Sequence, residues 1–148
     1  MKTKFLFLVI MTIFFTSCEK KSEVLVMDTG GSDKQEDPLK NKGIGPVKTV
    51  KLGPLDVALA KKGKKIFSTK CSACHAIKTR SVGPALIGIT KRRSPEWVMN
   101  MIVNTNEMVE KDPIVKAMIA TYMVKMTYQD ISKKDARKIL EYFRQIDK

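Results

Sequence analysis

The sequence predicts an all-α fold of about four helices, preceded by a long segment without regular structure. Three observations support this prediction. Apolar residues recur at helical spacing between residues 55 and 67, Pro-containing helix start signals stand at residues 94–96 and 112–113, and a third start signal at residue 132 precedes an amphipathic C-terminal segment. The helical pattern covers residues 51–148.

Composition restricts the class of protein before any motif is considered. The chain has 148 residues, 28 Lys and Arg against 15 Asp and Glu, three Cys, one His and 43% hydrophobic residues. This is enough for one small soluble domain. Three Cys and one His are too few for a disulfide scaffold or for more than a minimal zinc site. No fixed-period repeat is visible, which argues against a solenoid or a propeller.

The N-terminus resembles an export signal. Lys2 and Lys4 precede an apolar run over residues 5–15, which is too short to span a membrane. Small residues directly before Cys18 are typical of a bacterial lipoprotein signal, in which the cysteine becomes the acylated first residue. Phe15 stands where such signals usually carry Leu. We therefore predict a signal peptide over residues 1–17 and lipidation of Cys18, the alternative being an ordinary secretory or uncleaved signal.

Residues 18–50 are predicted to be a flexible, lipid-anchored tether. The segment contains Gly and Pro clusters at residues 30–32 and 43–46 and shows no sustained helical or alternating period. About thirty flexible residues have a root-mean-square span of roughly 30 Å. The folded domain, predicted over residues 51–148, would then move within a limited distance of its membrane.

The first predicted helix leads directly into the residues that are chemically reactive or able to bind a metal. Its apolar face and its basic face separate at 100° per residue. The apolar face comprises Leu55, Leu59, Gly63, Ile66 and Phe67, and the basic face comprises Lys61, Lys64 and Lys65. A loop rich in Gly and Pro over residues 81–88 follows the motif at the end of this helix.

The other helices begin at recognisable signals. Ser94-Pro95-Glu96 supplies a cap hydroxyl, a proline at the first helical position and an acid near the positive end of the helix dipole. Asp112-Pro113 repeats the signal for a short helix that ends at about residue 122. Ser132 opens the last helix, whose apolar positions run to Ile146.

The sequence Cys71-Ser72-Ala73-Cys74-His75 is the attachment signature of c-type haem. Two thiols at this spacing add to the two vinyl groups of one haem, and the adjacent His75 then lies beneath the iron as an axial ligand. A thioredoxin-like redox pair would need a preceding strand, whereas a helix precedes this motif. A zinc knuckle would need further Cys or His ligands downstream, and there are none.

With this motif the chain resembles the monohaem class I cytochromes c, over about residues 55–146. The helix before Cys71, the loop Gly83-Pro84-Ala85-Leu86-Ile87-Gly88 and the segment Ile139-Leu140-Glu141-Tyr142-Phe143 match three motifs of that family in order. The resemblance implies one covalently attached haem c. It also implies that the first and last helices cross with Gly63 and Phe67 against Ile139 and Tyr142.

The resemblance also implies the remaining haem contacts. The carbonyl of Pro84 would accept a hydrogen bond from Nδ1 of His75. The second axial ligand would be Met126, in the loop before the last helix, with Met123 as the alternative; most other methionines are explained by packing. For the propionates, Trp97 is a candidate donor and Arg92 or Arg93 a candidate counter-charge, although Trp97 serves equally well as a core residue.

These residues predict a function in electron transfer. A His/Met pair leaves no open position at the iron, which favours a carrier over an enzyme. Lys and Arg outnumber Asp and Glu by 20 to 9 in residues 51–148, which favours an acidic redox partner. Export makes nucleic acid an unsuitable partner, and the membrane is reached through the lipid anchor on the periplasmic side. The alternatives are a haem-based gas or redox sensor and a fixed subunit of a larger respiratory complex.

Overall fold

A computed structural model describes residues 37–148, and this part of the chain contains six helices and no strand. The helices are α1 (Val57–Lys70), α2 (Ile89–Arg92), α3 (Pro95–Val103), α4 (Thr105–Lys111), α5 (Pro113–Tyr122) and α6 (Lys133–Ile146). The predicted all-α fold is confirmed. The four predicted helices correspond to α1, α3, α5 and α6, and the short α2 and α4 were not predicted. The predicted signal peptide, Cys18 and the tether before residue 37 lie outside the described residues.

The four longer helices begin at side-chain caps. In each helix a cap oxygen accepts a backbone N–H three residues further on, at 2.8–3.1 Å. The four cap residues are Asp56, Ser94, Asp112 and Ser132. Such caps satisfy N–H groups that have no partner inside the helix. The three start signals recognised in the sequence are thus the caps of α3, α5 and α6.

Helices α1 and α6 form the central pair of the fold. They approach most closely at Gly63, where a Cβ atom would overlap the carbonyl oxygen of Lys138. One turn later, the ring of Phe67 packs on the rings of Tyr142 and Phe143, with centroid separations of 5.6 and 5.9 Å. A glycine allows the helices to approach this closely, and the aromatic rings then fill the space beside it. This is the crossing that the resemblance implies, with Phe143 as an additional partner.

Residues 41–50, which we call the N-terminal strap, lie against α3 and α4. The side-chain amide of Asn100 accepts the N–H of Val47 at 2.9 Å and donates to the carbonyls of Val47 and Lys42, both at 2.9 Å. Val47 and Asn100 are both buried. The predicted boundary at residue 51 is therefore wrong, because these residues belong to the packed domain rather than to a tether.

Further contacts hold the strap along its length. The N–H of Val50 donates to Glu96 at 2.8 Å, and the N–H of Ile44 donates to the buried sulfur of Met108 at 3.0 Å. Gly43 has a φ of 68°, and a Cβ there would lie 2.9 Å from the same sulfur. The strap has no regular structure of its own. Its buried backbone groups can still form hydrogen bonds because side chains of α3 and α4 supply the partners that a helix or sheet would otherwise supply.

Candidate functional site

The motif residues lie in a tight turn that continues from the C-terminus of α1. The N–H of Cys71 still donates to the carbonyl of Phe67 at 2.9 Å. The N–H groups of Cys74 and His75 then donate back to the carbonyl of Cys71, at 3.1 and 2.9 Å. The turn brings both thiols and the imidazole together at the end of one helix, which is the arrangement that the spacing predicts.

The two motif cysteines are free thiols with different exposure. Cys71 is half-buried against the core, and Cys74 is exposed. Burial raises the pKa of the Cys71 thiol, and the neighbouring Cys74 raises it further. Both sulfur atoms are therefore available for bonds to a cofactor rather than committed to each other.

The imidazole of His75 is oriented by a backbone carbonyl. Its Nδ1 lies 3.2 Å from the carbonyl oxygen of Pro84. A carbonyl only accepts hydrogen bonds, so Nδ1 carries the ring proton and Nε2 keeps a free lone pair for a metal. This is the contact that the resemblance implies.

Gly83 forms the surface on which this ring rests. Its N–H donates to the carbonyl of Cys74 at 2.9 Å, which fixes the loop beside the motif. A Cβ at Gly83 would lie 2.8 Å from Nδ1 of His75 and nearer still to Cε1. Only glycine leaves room for the imidazole at this point.

The rest of the loop is fastened to the C-terminus of the chain. The carboxylate of Asp147, which ends α6, accepts the N–H of Gly88 at 2.5 Å and the N–H and hydroxyl of Thr90 at 2.9 and 2.7 Å. The guanidinium of Arg80 lies 4.6 Å from the ring centroid of Tyr122, at the end of α5. The loop is thus connected to both α5 and α6.

The two candidate methionines occupy the loop between α5 and α6. Met123 ends α5 in the left-handed region, with a φ of 56°, and is 84% exposed. Met126 is half-buried, further along this loop. Of the two, Met126 is thus the less exposed to solvent.

Trp97 is a core residue, which was one of its two predicted roles. Its side chain is buried, and its indole N–H donates to the carboxylate of Asp112 at 3.2 Å. An indole has a single N–H, and in this structure that N–H joins α3 to the cap of α5. The contact of Trp97 with a haem propionate stays a prediction. The arginines are also engaged: Arg92 donates to the carbonyl of Ile87 at 2.7 Å, and Arg93 stacks over Trp97.

Glu141 of α6 and Asp147, the residue directly after this helix, support the site and were not predicted from the sequence. Glu141 is buried, binds Arg137 and Arg144, and accepts the N–H of Asp56 at 3.4 Å, which links α6 to the cap of α1. Asp147 holds the loop described above. The signal for Glu141 was an acid between apolar neighbours in sequence, with an arginine four residues before it and another three residues after it, which places all three on one side of the helix.

Comparison with known proteins places this geometry in a family. A family model described as Cytochrome c matches residues 60–147. The chain belongs to the cytochrome c family. Cytochrome c from Rhodothermus marinus has the same fold with a TM-score of 0.68 and 45% identity, covering 70% of this chain and 90% of that chain.

Two further relatives differ in how much they share with this cytochrome c. An engineered Rhodothermus marinus cytochrome c, bound to a carbene intermediate, is 44% identical with a TM-score of 0.65, over 70% of this chain and 90% of that chain. A cytochrome c-553-like protein of Synechocystis is 35% identical over 46 residues, which are 30% of this chain. The chain spans less than half of that relative, 44% of its length.

The residues of this cytochrome c fit one covalently attached haem c. Cys71 and Cys74 supply the two thioether sulfurs, and His75 presents Nε2 because Pro84 holds Nδ1. Gly83 provides the space in which the imidazole lies. When bound, the haem supplies one-electron chemistry at its iron, and the function of the domain is haem-based electron transfer. Among residues 37–148, no helix is long and apolar enough to cross a membrane.

Proposed function

We propose that this cytochrome c is a lipid-anchored electron carrier of a bacterial respiratory chain. It would take single electrons from a membrane quinol-oxidising complex and deliver them to a periplasmic reductase or terminal oxidase. The observation that carries the proposal is the 3.2 Å contact between His75 and Pro84, which holds one axial ligand in a fixed orientation. By this contact the chain itself would orient the imidazole toward a bound haem.

The second part of the proposal is that Met126 would be the second protein ligand of the iron, together with His75. Met126 is half-buried in the loop before α6, whereas Met123 is 84% exposed at the end of α5. A His/Met pair leaves no position for a substrate, so this protein is proposed to be a carrier and not an enzyme. Thioether ligation also raises the reduction potential, which suits delivery to an oxidase or reductase.

Substitution of the two methionines tests the ligand assignment. Met126→Ala is expected to abolish the weak long-wavelength charge-transfer band of the oxidised protein, lower the potential and allow carbon monoxide to bind. Met123→Ala, the matched control three residues away, is expected to keep the band. Retention of the band in Met126→Ala would transfer the ligand role to Met123, and rapid carbon monoxide binding by the wild type would favour a sensor.

Lysines around the attachment motif support an acidic redox partner. Lys64, Lys65 and Lys70 of α1 and Lys78 after the motif are all exposed. Oriented charge accelerates encounter and weakens as salt screens it. We expect the electron-transfer rate with the partner to fall as ionic strength rises, and Lys65→Glu or Lys70→Glu to slow association more than they alter the potential. A rate independent of salt would contradict this part of the proposal.

Membrane attachment through Cys18 is proposed from the sequence, since that residue lies outside the described part of the chain. One acylated N-terminus holds a domain at a membrane without a spanning helix. Mass spectrometry of the mature N-terminus decides the matter, with a diacylglycerol on Cys18 as the expected result. An unmodified residue downstream of Cys18 would show ordinary secretion instead.

A further inference from the structure

The N-terminal strap and the start of α6 form a basic groove on the surface. The groove has a volume of about 360 Å³ and an apolar floor of Pro46, Val47, Val50 and Met99. Its cationic walls are Lys48, Lys51, Lys133 and Arg137. The strap residues of this groove stand in a segment that the sequence alone predicted to be a flexible tether, so the groove exists only because the strap packs against the domain.

The lysines of the groove have no carboxylate partner among residues 37–148. Lys133 donates to the carbonyl of Pro46 at 3.4 Å, and Lys42, next to the groove, donates to the carbonyl of Lys48 at 3.3 Å. An ammonium group has three donors, so each of these lysines keeps donors for a further acceptor. No ion pair in this part of the chain involves Lys48 or Lys51.

The nearby carboxylates are already occupied. Glu96 accepts the N–H of Val50, and Glu141 binds Arg137 and Arg144. Glu107, close to Lys48, accepts hydrogen bonds from Asn104 and Lys111. The lysines of the groove therefore form no ion pair among residues 37–148, and Lys48 interacts with Glu107 only at longer range. Their positive charge makes the groove complementary to an anionic surface.

The position of the groove in the chain indicates which anionic surface it fits. Residues 1–36 end four residues before the strap begins and contain the apolar run 5–15 and Cys18. If the anchor lies in those residues, fewer residues separate it from the strap than from any of the six helices. The strap would then be close to the bilayer. Phospholipid headgroups at that surface carry phosphate, for which lysine is a suitable partner.

We propose that this groove docks the domain onto anionic phospholipid headgroups of the membrane to which the chain is attached. The proposal rests on the proposed anchoring and assigns the groove and the lysines around the attachment motif to different partners. The groove binds the bilayer, and the lysines of α1 remain available for the redox protein.

Vesicle binding tests the groove directly. The probe is a set of vesicles of phosphatidylglycerol and phosphatidylcholine. The protein is the haem-loaded chain over residues 19–148, which is the predicted mature chain without Cys18 and therefore without an acyl group. This chain retains every described residue. Sedimentation is expected to show binding that requires phosphatidylglycerol and falls steeply with salt. Absence of binding to the anionic vesicles would overturn the proposal.

A pair of matched triple variants distinguishes vesicle binding through this groove from binding through the general positive charge of the domain. Each lysine near an anionic surface adds about fivefold to affinity, so changing Lys48, Lys51 and Lys133 to Gln is expected to weaken binding about 100-fold. The same change at Lys61, Lys64 and Lys65 of α1 is expected to weaken it less than about threefold. Unchanged haem absorption verifies that both variants are folded.

Two outcomes would overturn the proposal without affecting the proposed function. Equal losses in both triple variants would show that binding depends on total charge and not on the groove. Slower electron exchange with the redox partner in the groove variant, with vesicle binding intact, would assign the groove to that partner. An unacylated Cys18 would instead count against the anchoring itself, and mass spectrometry measures it independently.

Discussion

At the scale of single residues, the orientation of His75 depends on two neighbours in the same loop. Pro84 accepts the ring proton through its carbonyl, and Gly83 leaves the space in which the ring lies. Neither residue offers a side chain that binds a metal. Both act by deciding where the imidazole points, which is the usual role of groups behind a metal ligand.

Gly83→Ala is the first prediction at this scale. The added Cβ would lie 2.8 Å from Nδ1 of His75, so the ring or the loop must move. Overpacking of this kind costs about 1–3 kcal/mol. We expect a lower midpoint of thermal unfolding for the holoprotein and a shifted haem spectrum.

Gly53→Ala is the matched control for this substitution, because a Cβ at Gly53 meets no atom within 4 Å. Its unfolding midpoint and spectrum are expected to match those of the wild type. Equal behaviour of the two variants would show that the contact with His75 does not restrict position 83.

At the scale of elements, a few buried polar side chains hold together segments that differ in structure. Asn100 on α3 binds three backbone groups of the strap. Asp147 joins the end of α6 to the start of α2. Each of these side chains supplies hydrogen bonds that the irregular backbone would otherwise lack.

Asn100→Ala is expected to loosen the strap. The buried N–H of Val47 would lose its acceptor, and an unsatisfied buried group costs about 1–3 kcal/mol. Urea unfolding is expected to show a lower midpoint, and hydrogen exchange is expected to be faster at residues 41–50. Asn106→Ala, an exposed position on the neighbouring α4, serves as the control. Unchanged exchange in Asn100→Ala would contradict the role of this amide.

The pair of α6 arginines around Glu141 predicts a dependence of stability on pH. Burial by itself raises the pKa of Glu141, but hydrogen bonds from Arg137 and Arg144 outweigh it, and the pKa lies below its ordinary value of 4.5. A carboxyl whose pKa is lowered by folding stabilises the protein above the unfolded pKa. This contribution is lost as the pH falls below about 4.5 and through the folded pKa.

Glu141→Gln is therefore expected to reduce the loss of stability in acid. The measurement is the free energy of unfolding between about pH 3 and pH 6. Glu110→Gln, at an exposed position, is expected to keep the wild-type slope. A wild-type slope in Glu141→Gln would show that this carboxyl is not responsible.

At the scale of the whole molecule, charge is distributed over a domain larger than the sequence indicated. Docking of the strap adds Lys42 and Lys48, and no acid, to a domain in which basic residues already outnumber acidic ones by 20 to 9. The excess supplies both the lysines of α1 and the basic groove. A small domain with this much like charge depends strongly on its core for stability.

The haem is expected to be an essential part of that core. Cys71→Ala with Cys74→Ala prevents attachment, so the α1–α6 pair would lose the large apolar group beside it. We expect little helical circular dichroism and no cooperative thermal transition in this variant, because small domains have narrow stability margins. A cooperative transition in haem-free protein would contradict this prediction.

Local features of the chain were predictable from the sequence because their causes lie within a few residues. Ser94 caps α3, Asp112 caps α5 and Ser132 caps α6, each through an N–H three residues away. The turn from Cys71 to His75 is likewise closed by bonds within five residues. These features determine the helices and identify haem c as the cofactor.

Tertiary structure alone decided the role of the strap and of Trp97. Asn100 reaches Val47 across 53 positions of sequence, and Trp97 reaches Asp112 across 15. An amide or an indole has the same hydrogen-bonding groups wherever it stands, and only the packing of helices determines which partner comes within reach. For that reason the sequence specified the four longer helices and the cofactor, whereas the fold decided that residues 41–50 are part of the domain and that Trp97 belongs to its core.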